Sequence, residues 1–178
     1  NWMETNLGNL VEDLTNTRLV NVLPDDLVVD PTIKSKTHAI GVASEQLGID
    51  VRITKRVRLA PGDLVFSRLH TQNGAFAFSN REFLATTTFI PLKVNEQVID
   101  KRFLYWALHI RVPTLSTSDS VGRETYKTQD ILDLKIPLPP LEEQRRIVSR
   151  IDEISRRLSL VQTLRKSTID EADLLFFK

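Results

Sequence analysis

Pro137, Pro139 and Pro140 stand directly before a stretch, Leu141 to Lys178, that contains neither proline nor glycine. Proline fixes φ near −65° and disfavours helix in the residue before it, so Ile136 and Leu138 are extended and helix cannot begin before Pro140. Pro140 suits the start of a helix, where its missing N–H has no partner anyway, and Glu142 and Glu143 complement the dipole of the first turn. Ile147, Ile151, Ile154, Leu158 and Val161 then recur with a 4-3-4-3 spacing. That is the a/d seam of a coiled coil, and it is bordered by Arg145, Arg146, Arg150, Asp152, Glu153, Arg156 and Arg157. A helix from about 141 to 173 is roughly 50 Å long and cannot fold back on the preceding globule along its whole length. Burying five aliphatic side chains does not offset the entropy of ordering such a rod. The rod is therefore expected to pair with another helix; the competing reading is an ordinary amphipathic helix packed on its own domain.

Upstream, the patterning predicts a mixed α/β (α+β) globule over 1–138, with the helical arm, a long C-terminal coiled-coil helix, over 139–178. Leu7, Leu10, Val11 and Leu14 have helical spacing, which predicts a short entry helix from Glu4 to Leu14. Pro24-Asp25-Asp26 reads as a turn and Leu27–Asp30 as a strand stopped by Pro31. Residues 32–50 read as loop, with one helical turn over Ala43–Leu47. Val51 to Leu59 alternates apolar with polar or basic residues, the pattern of a half-buried strand with a cationic face. Pro61-Gly62-Asp63 is a tight turn, and Leu64–Leu69 with Ala75–Ser79 forms a hairpin across Thr71-Gln-Asn-Gly74. Phe83–Ile90 is a further β-rich run ended at Pro91. Asp100–Arg111 is a helix with Phe103, Leu104, Trp106, Ala107 and Ile110 on its apolar side. A polar loop over 114–123 leads to a short helix capped by Thr128 and then to the strand-like Leu134–Leu138.

Length allows one domain with a sizeable core plus an appendage. Lys+Arg of 24 against Asp+Glu of 23 leaves a net charge of +1, so bulk charge announces no nucleic-acid partner. Its distribution says more. Between 51 and 70 lie Arg52, Lys55, Arg56, Arg58 and Arg68 with only Asp63 opposing them, whereas 24–30 holds Asp25, Asp26 and Asp30 and no base. The absence of cysteine removes disulfides and thiolate zinc sites and fits the cytoplasm. No apolar run approaches a membrane span and no basic-then-apolar leader opens the chain. With Asn1 first and an abrupt stop at Lys178, the chain is expected to be part of something longer.

Catalytic motifs are missing. The only Pro-Pro, in Leu138-Pro-Pro-Leu141, lacks the Asn/Asp and aromatic neighbours that grip a flipped base. There is no glycine-rich strand–turn–helix for adenosylmethionine or ATP and no P-loop lysine motif. Pro24-Asp25 with Asp133-Leu-Lys135 imitates a nuclease signature, but the two are over 100 residues apart. His38, His70 and His109 show no metal-ligand spacing, and His109 on an apolar helix reads as structural. The expectation is a chain that catalyses nothing and binds no metal or cofactor itself.

Binding chemistry is better represented. The hairpin tip supplies Arg68, His70, Thr71, Gln72 and Asn73. Arginine pairs with guanine O6/N7 in the major groove and Gln or Asn with adenine N6/N7, so such a tip suits reading base edges; the competing reading is a solvated polar turn. Lys55, Arg56 and Arg58 suit phosphate contacts, which position without reading sequence, or else an ordinary solvated strand face. Ser116, Ser118, Ser120, Arg123 and Lys127 form a candidate second loop against the DNA backbone, although a plain solvated loop fits them better.

The junction Ile136-Pro-Leu-Pro-Pro-Leu-Glu-Glu-Gln-Arg-Arg-Ile-Val148 resembles that of DNA specificity subunits of type I restriction–modification systems, where a target-recognition domain meets a long helix. Leu59-Ala-Pro-Gly-Asp-Leu-Val-Phe-Ser-Arg-Leu-His70 running on to Gly74-Ala-Phe-Ala-Phe78 is similar to the same family. So are Ser120-Val-Gly-Arg-Glu-Thr-Tyr126 and Thr128–Leu134, and, more weakly, Leu7-Gly-Asn-Leu-Val-Glu12. The resemblance implies a non-catalytic reader of double-stranded DNA, one half of a split target per domain, with two recognition domains at opposite ends of an antiparallel helix pair. It further implies methyltransferase subunits that bring S-adenosylmethionine and a restriction motor subunit that uses ATP. Only one domain and one arm are present. Either the second half lies outside this chain, or two copies form a homodimer through Ile147, Ile151, Ile154, Leu158 and Val161. Two other readings stay open: a protein-interaction scaffold that never touches DNA, and a recognition domain of a fused single-chain restriction–methylation enzyme.

Overall fold

The structure, a computed structural model, describes residues 2–115 and 125–176, with side chains to residue 165. Its contacts divide the chain into two units, Asn1–Leu138 and Pro139–Lys178. In the first, β1 is Glu4–Asn6, β2 Val11–Asp13, β3 Leu19–Asn21, β4 Leu27–Lys34, β5 Ala39–Leu47 and β6 Lys55–Leu59. There follow β7 (Leu64–Ser67), β8 (Phe76–Phe78), β9 (Phe83–Ala85) and β10 (Phe89–Val94). Helices α1 (Lys101–Arg111) and α2 (Thr128–Leu132) precede β11 (Lys135–Pro137). A four-stranded sheet runs β2-β10-β7-β8, a three-stranded one β3-β6-β9, and β1-β11 and β4-β5 are pairs. Every pairing among the described residues is antiparallel.

Alternation explains much of the core. Val57 and Leu59 on β6, Val65 on β7, Ala77 on β8 and Phe83 and Ala85 on β9 form one buried cluster, joined by Val29 and Ile40 of the β4–β5 pair. Each large aliphatic or aromatic side chain so covered contributes about 1.5–3 kcal/mol. The hairpin over β7 and β8 is as expected, with Leu64 opposite Phe78 and Phe66 opposite Phe76. Helix α1 begins where its apolar spacing places it. Asp100 caps it, its carboxylate accepting from the amides of Arg102 (2.9 Å) and Phe103 (3.1 Å).

Four expectations need correcting. The entry helix over 4–14 is instead β1, a 3-10 turn over Leu7–Asn9 and β2. Leu7, Leu10 and Leu14 are buried as an amphipathic helix would bury them, but a strand–turn–strand path delivers them, with Leu7 N–H donating to Leu134 O at 2.8 Å. Residues 39–47 are strand, not loop with a helical turn: β4 and β5 form a long hairpin. Pro31 does not stop β4. It sits at a register shift between Asp30 and Pro31, a bulge of the kind at which a strand tolerates proline. Pro91 likewise lies within β10, where the ladder to β2 runs out; its carbonyl accepts from Leu14 N–H at 3.0 Å. The β run breaks earlier, over residues 86–88.

In the second unit, α3 spans Leu141–Phe176. The Gln144 side chain, fully buried, donates to Pro139 O at 2.8 Å, and its amide donates to Pro140 O at 3.0 Å. The proline turn and the helix start are thus tied together. Arg146 with Glu143 and Arg150 with Glu153, both at 2.8 Å, line its surface. Ile154, Leu158 and Val161 are exposed by 47%, 58% and 60%.

Candidate nucleic-acid interface

Several loops of the first unit meet at the tip of the β7–β8 hairpin. Arg68 leaves β7 with its amide donating to Thr88 O (2.8 Å) and its carbonyl accepting from Tyr126 N–H (2.9 Å). Its guanidinium donates to Thr128 Oγ1 at 2.8 Å, so Thr128 serves Arg68 rather than capping α2; Asp130 closes that helix start by accepting from Lys127 N–H at 2.8 Å. Leu69 bridges to Thr125. The fully buried Tyr126 donates its hydroxyl proton to Gln72 Oε1 at 2.7 Å. The 3-10 turn Thr71–Asn73 lies against a second 3-10 turn, Val112–Thr114. Residues 112–115 and 125–128 therefore both end at this tip.

Of the expected reading residues, the tip exposes His70 and Asn73, and it half-exposes Arg68 and Gln72. Neither His70 nor Asn73 has a side-chain partner among the described residues. The Tyr126 hydroxyl takes one lone pair of the Gln72 oxygen and so orients the side chain, leaving the second lone pair and the amide for a base edge. Thr71 departs from expectation. It is fully buried and its hydroxyl donates to Ser67 O at 2.6 Å, so it shapes the turn. Arg123 lies outside the described residues.

The cationic strand also needs a correction. Lys55 is exposed at the start of β6, opposite Asn21, but Arg56 is only 4% exposed. Its guanidinium is ion-paired with Asp30 and donates to Ile53 O at 2.9 Å. The acid-only stretch thus supplies the counter-ion for the basic one, a pairing that sequence separation hides. Arg58 pairs with Glu82 at 2.7 Å, both largely exposed; such a surface pair is worth about 0–1 kcal/mol and exchanges readily for a phosphate. Asp63 behaves as turn chemistry, accepting from Ala60 N–H at 2.7 Å and pairing with Arg18.

The histidines hold what sequence reasoning missed. His38 and His109, 71 residues apart, meet with Nε2 of His38 2.8 Å from Nδ1 of His109. Nδ1 of His38 lies 2.8 Å from Gly74 O, a group that only accepts. His38 Nδ1 therefore carries hydrogen, its Nε2 is bare, and His109 Nδ1–H donates to it. The His38 ring stacks on Phe76 at 4.2 Å and meets Tyr105 edge-on at 5.6 Å. Burial lowers its pKa from the ordinary 6.5, the bond to Gly74 opposes that, and His109 adds to the lowering. Among the described residues no three His, Cys, Asp or Glu side chains cluster to hold a metal, and no helix is long and apolar enough to cross a membrane.

The first unit is thus an antiparallel α+β body presenting clustered loops, with a long helix following it in sequence, and solved structures share that plan. The HsdS subunit of Thermoanaerobacter tengcongensis is similar over 98% of this chain and 47% of its own, at TM-score 0.70 and 23% identity. A chain from a structure of the assembly and conformational transition of the type I R-M system gives 0.68 and 22%, over 98% of this chain and 47% of that one. The type I S subunit of M. genitalium gives 0.53 and 15%, over 92% and 41%.

The sequence carries the match further: the type I restriction modification DNA specificity domain covers residues 50–169, and the chain belongs to that family. The type I restriction enzyme MjaVIII specificity subunit of Methanocaldococcus jannaschii is 20% identical over 167 residues, 93% of this chain and 38% of that protein. The chain spans under half the length of these relatives.

Proposed function

We propose that this chain is one DNA-reading half of a type I specificity subunit. Residues 1–138 act as the target-recognition domain and 139–178 as the arm that docks methyltransferase subunits. The family match over 50–169 carries this reading, and the loops gathered around Arg68 support it. Arg68, His70 and Asn73 approach base edges of double-stranded DNA, while Lys55 and Arg58 approach phosphates. Arg56 and Thr71 hold the fold. The chain performs no chemistry; partner modification subunits bring S-adenosylmethionine and methylate adenine, and a restriction motor subunit consumes ATP, all in the cytoplasm.

The arm pairs as a coiled coil with a second such helix, from another copy or from the other half of a longer subunit. The exposure of Ile154, Leu158 and Val161, aliphatic residues that water disfavours, supports this. Binding of a randomised duplex pool tests the function. Arg68→Ala relaxes base preference, whereas Lys55→Ala weakens all sequences alike; wild-type affinity and preference in both overturns the site.

A second reading, a protein-interaction scaffold, draws on the net charge of +1 and the internal neutralisation of Arg56. Filter binding at low salt separates the two, since a scaffold retains no duplex.

A further inference from the structure

The β4–β5 hairpin ends at Lys34 and resumes at Ala39, leaving Ser35-Lys36-Thr37-His38 as its tip. The tip does not wave free. His38 hydrogen-bonds to Gly74 O at 2.8 Å and to His109 at 2.8 Å, and its ring stacks on Phe76. Gly74 has φ +87°, and a Cβ there would lie 2.6 Å from His38 Cε1 and 3.1 Å from Ser35 O. The 35–38 and 70–74 loops are therefore in contact too close for any side chain at 74. Among the described residues only two non-glycine residues have positive φ, His38 (47°) and His70 (59°). Both lie on these two loops. Such backbone is uncommon outside glycine and persists where surrounding contacts impose it, characteristically at binding sites. Lys34 and Lys36 are exposed, with no acidic partner among the described residues.

We propose that the β4–β5 tip is a second DNA-contacting finger beside the 70–74 loop, in which Lys34 and Lys36 contact duplex phosphates and His38 is the positioning residue that fixes the finger. This rests on the DNA-reading function proposed above and adds an element to it. Charging His38 demands rearrangement. Its Nδ1 already donates to Gly74, so a proton on Nε2 faces the Nδ1–H of His109, which must move to the other ring nitrogen. A second proton on the pair sets two cations in contact. The groups facing His38 are Gly74 and Phe76 beside it, Tyr105 and His109 from α1, and Ser35 of its own loop; none is a carboxylate that could offset the charge.

The test uses the full-length protein carrying this chain, assembled with its methyltransferase subunits, and a randomised duplex DNA pool. Lys34→Ala with Lys36→Ala should make the slope of log K against log[salt] shallower by about 1.8, at about 0.9 per lost phosphate contact. Lys93→Ala, at the far end of β10 from the tip, should leave the slope unchanged. His38→Asn, a residue that tolerates positive φ, should reproduce the loss. Adding it to the double lysine variant should cost no more than twofold further, a coupling that general weakening of the fold does not produce. A wild-type slope in the double lysine variant overturns the finger. Full additivity of His38→Asn overturns its positioning role. If the parent protein itself retains no duplex at low salt, the DNA-reading function fails, and with it this inference.

Discussion

Arg56 and Arg58 are two residues apart on one strand face, yet they lead different lives. Arg58 meets Glu82 in solvent; Arg56 is buried against Asp30 and Ile53 O. Removing one member of a buried pair leaves the other's charge uncompensated, at a cost of about 3–5 kcal/mol. Arg56→Ala should accordingly lower stability by about 3 kcal/mol in denaturant titration, whereas Arg58→Ala stays within about 0.5 kcal/mol. Equal small effects in both would contradict the burial. Alternation let the sequence place both arginines on one face, but the acid that covers one of them arrives from 26 residues away. His38 offers a second residue-scale prediction. Its folded pKa lies below 6.5 because burial opposes its charge, whereas the unfolded chain protonates near 6.5. The unfolded state therefore binds more protons below that pH. The stabilising contribution is complete above 6.5 and is lost as pH falls through the lowered value. The thermal midpoint should drop on acidification below about 6.5 by more in the parent protein than in His38→Asn, and parallel pH curves would contradict this.

Elements were legible where local chemistry settles them. The Pro137–Pro140 break, the helix that follows Asp100 and the Leu64–Phe78 hairpin each depend on neighbours in sequence, and each is found. What stayed hidden depends on pairing across distance. The β4–β5 hairpin alternates poorly because β5 is mostly exposed, so period-2 patterning is faint there. The 4–14 segment buries Leu7, Leu10 and Leu14 at a spacing common to a helix and to a strand–turn–strand path. Prolines were read as stops, whereas Pro31 sits at a bulge and Pro91 beside a ladder's end, positions where strands tolerate proline. In the candidate site, base-pairing chemistry singled out Arg68 as a candidate, but its anchor on Thr128 and the link between His38 and His109 are long-range. For α3, Ile151→Asp with Leu158→Asp should halve the mass seen by sedimentation if two copies of the arm pair. An unchanged mass in a parent protein that is itself dimeric would place the pairing elsewhere.

At the scale of the whole molecule, a net charge of +1 sets no long-range field, so affinity for a polyanion must come from local contacts. Among the described residues Lys34, Lys36 and Lys55 have no acidic partner; with an exchangeable Arg58 they are the four cations proposed to meet phosphates, and Arg68 is proposed to meet bases, a modest set beside strongly basic DNA binders. On the proposed reading, so few cations predict weak duplex binding by this domain alone at physiological salt. Lys55→Ala and Arg68→Ala together should leave less than either alone, with base preference following only Arg68. The most direct test of DNA reading is the salt dependence of duplex binding by the full-length protein, measured with a randomised pool whose bound fraction is sequenced. If about four phosphates are neutralised, log K falls with log[salt] at a slope of about −3.6, and one sequence pattern is enriched. A flat slope with no enrichment at low salt would contradict it.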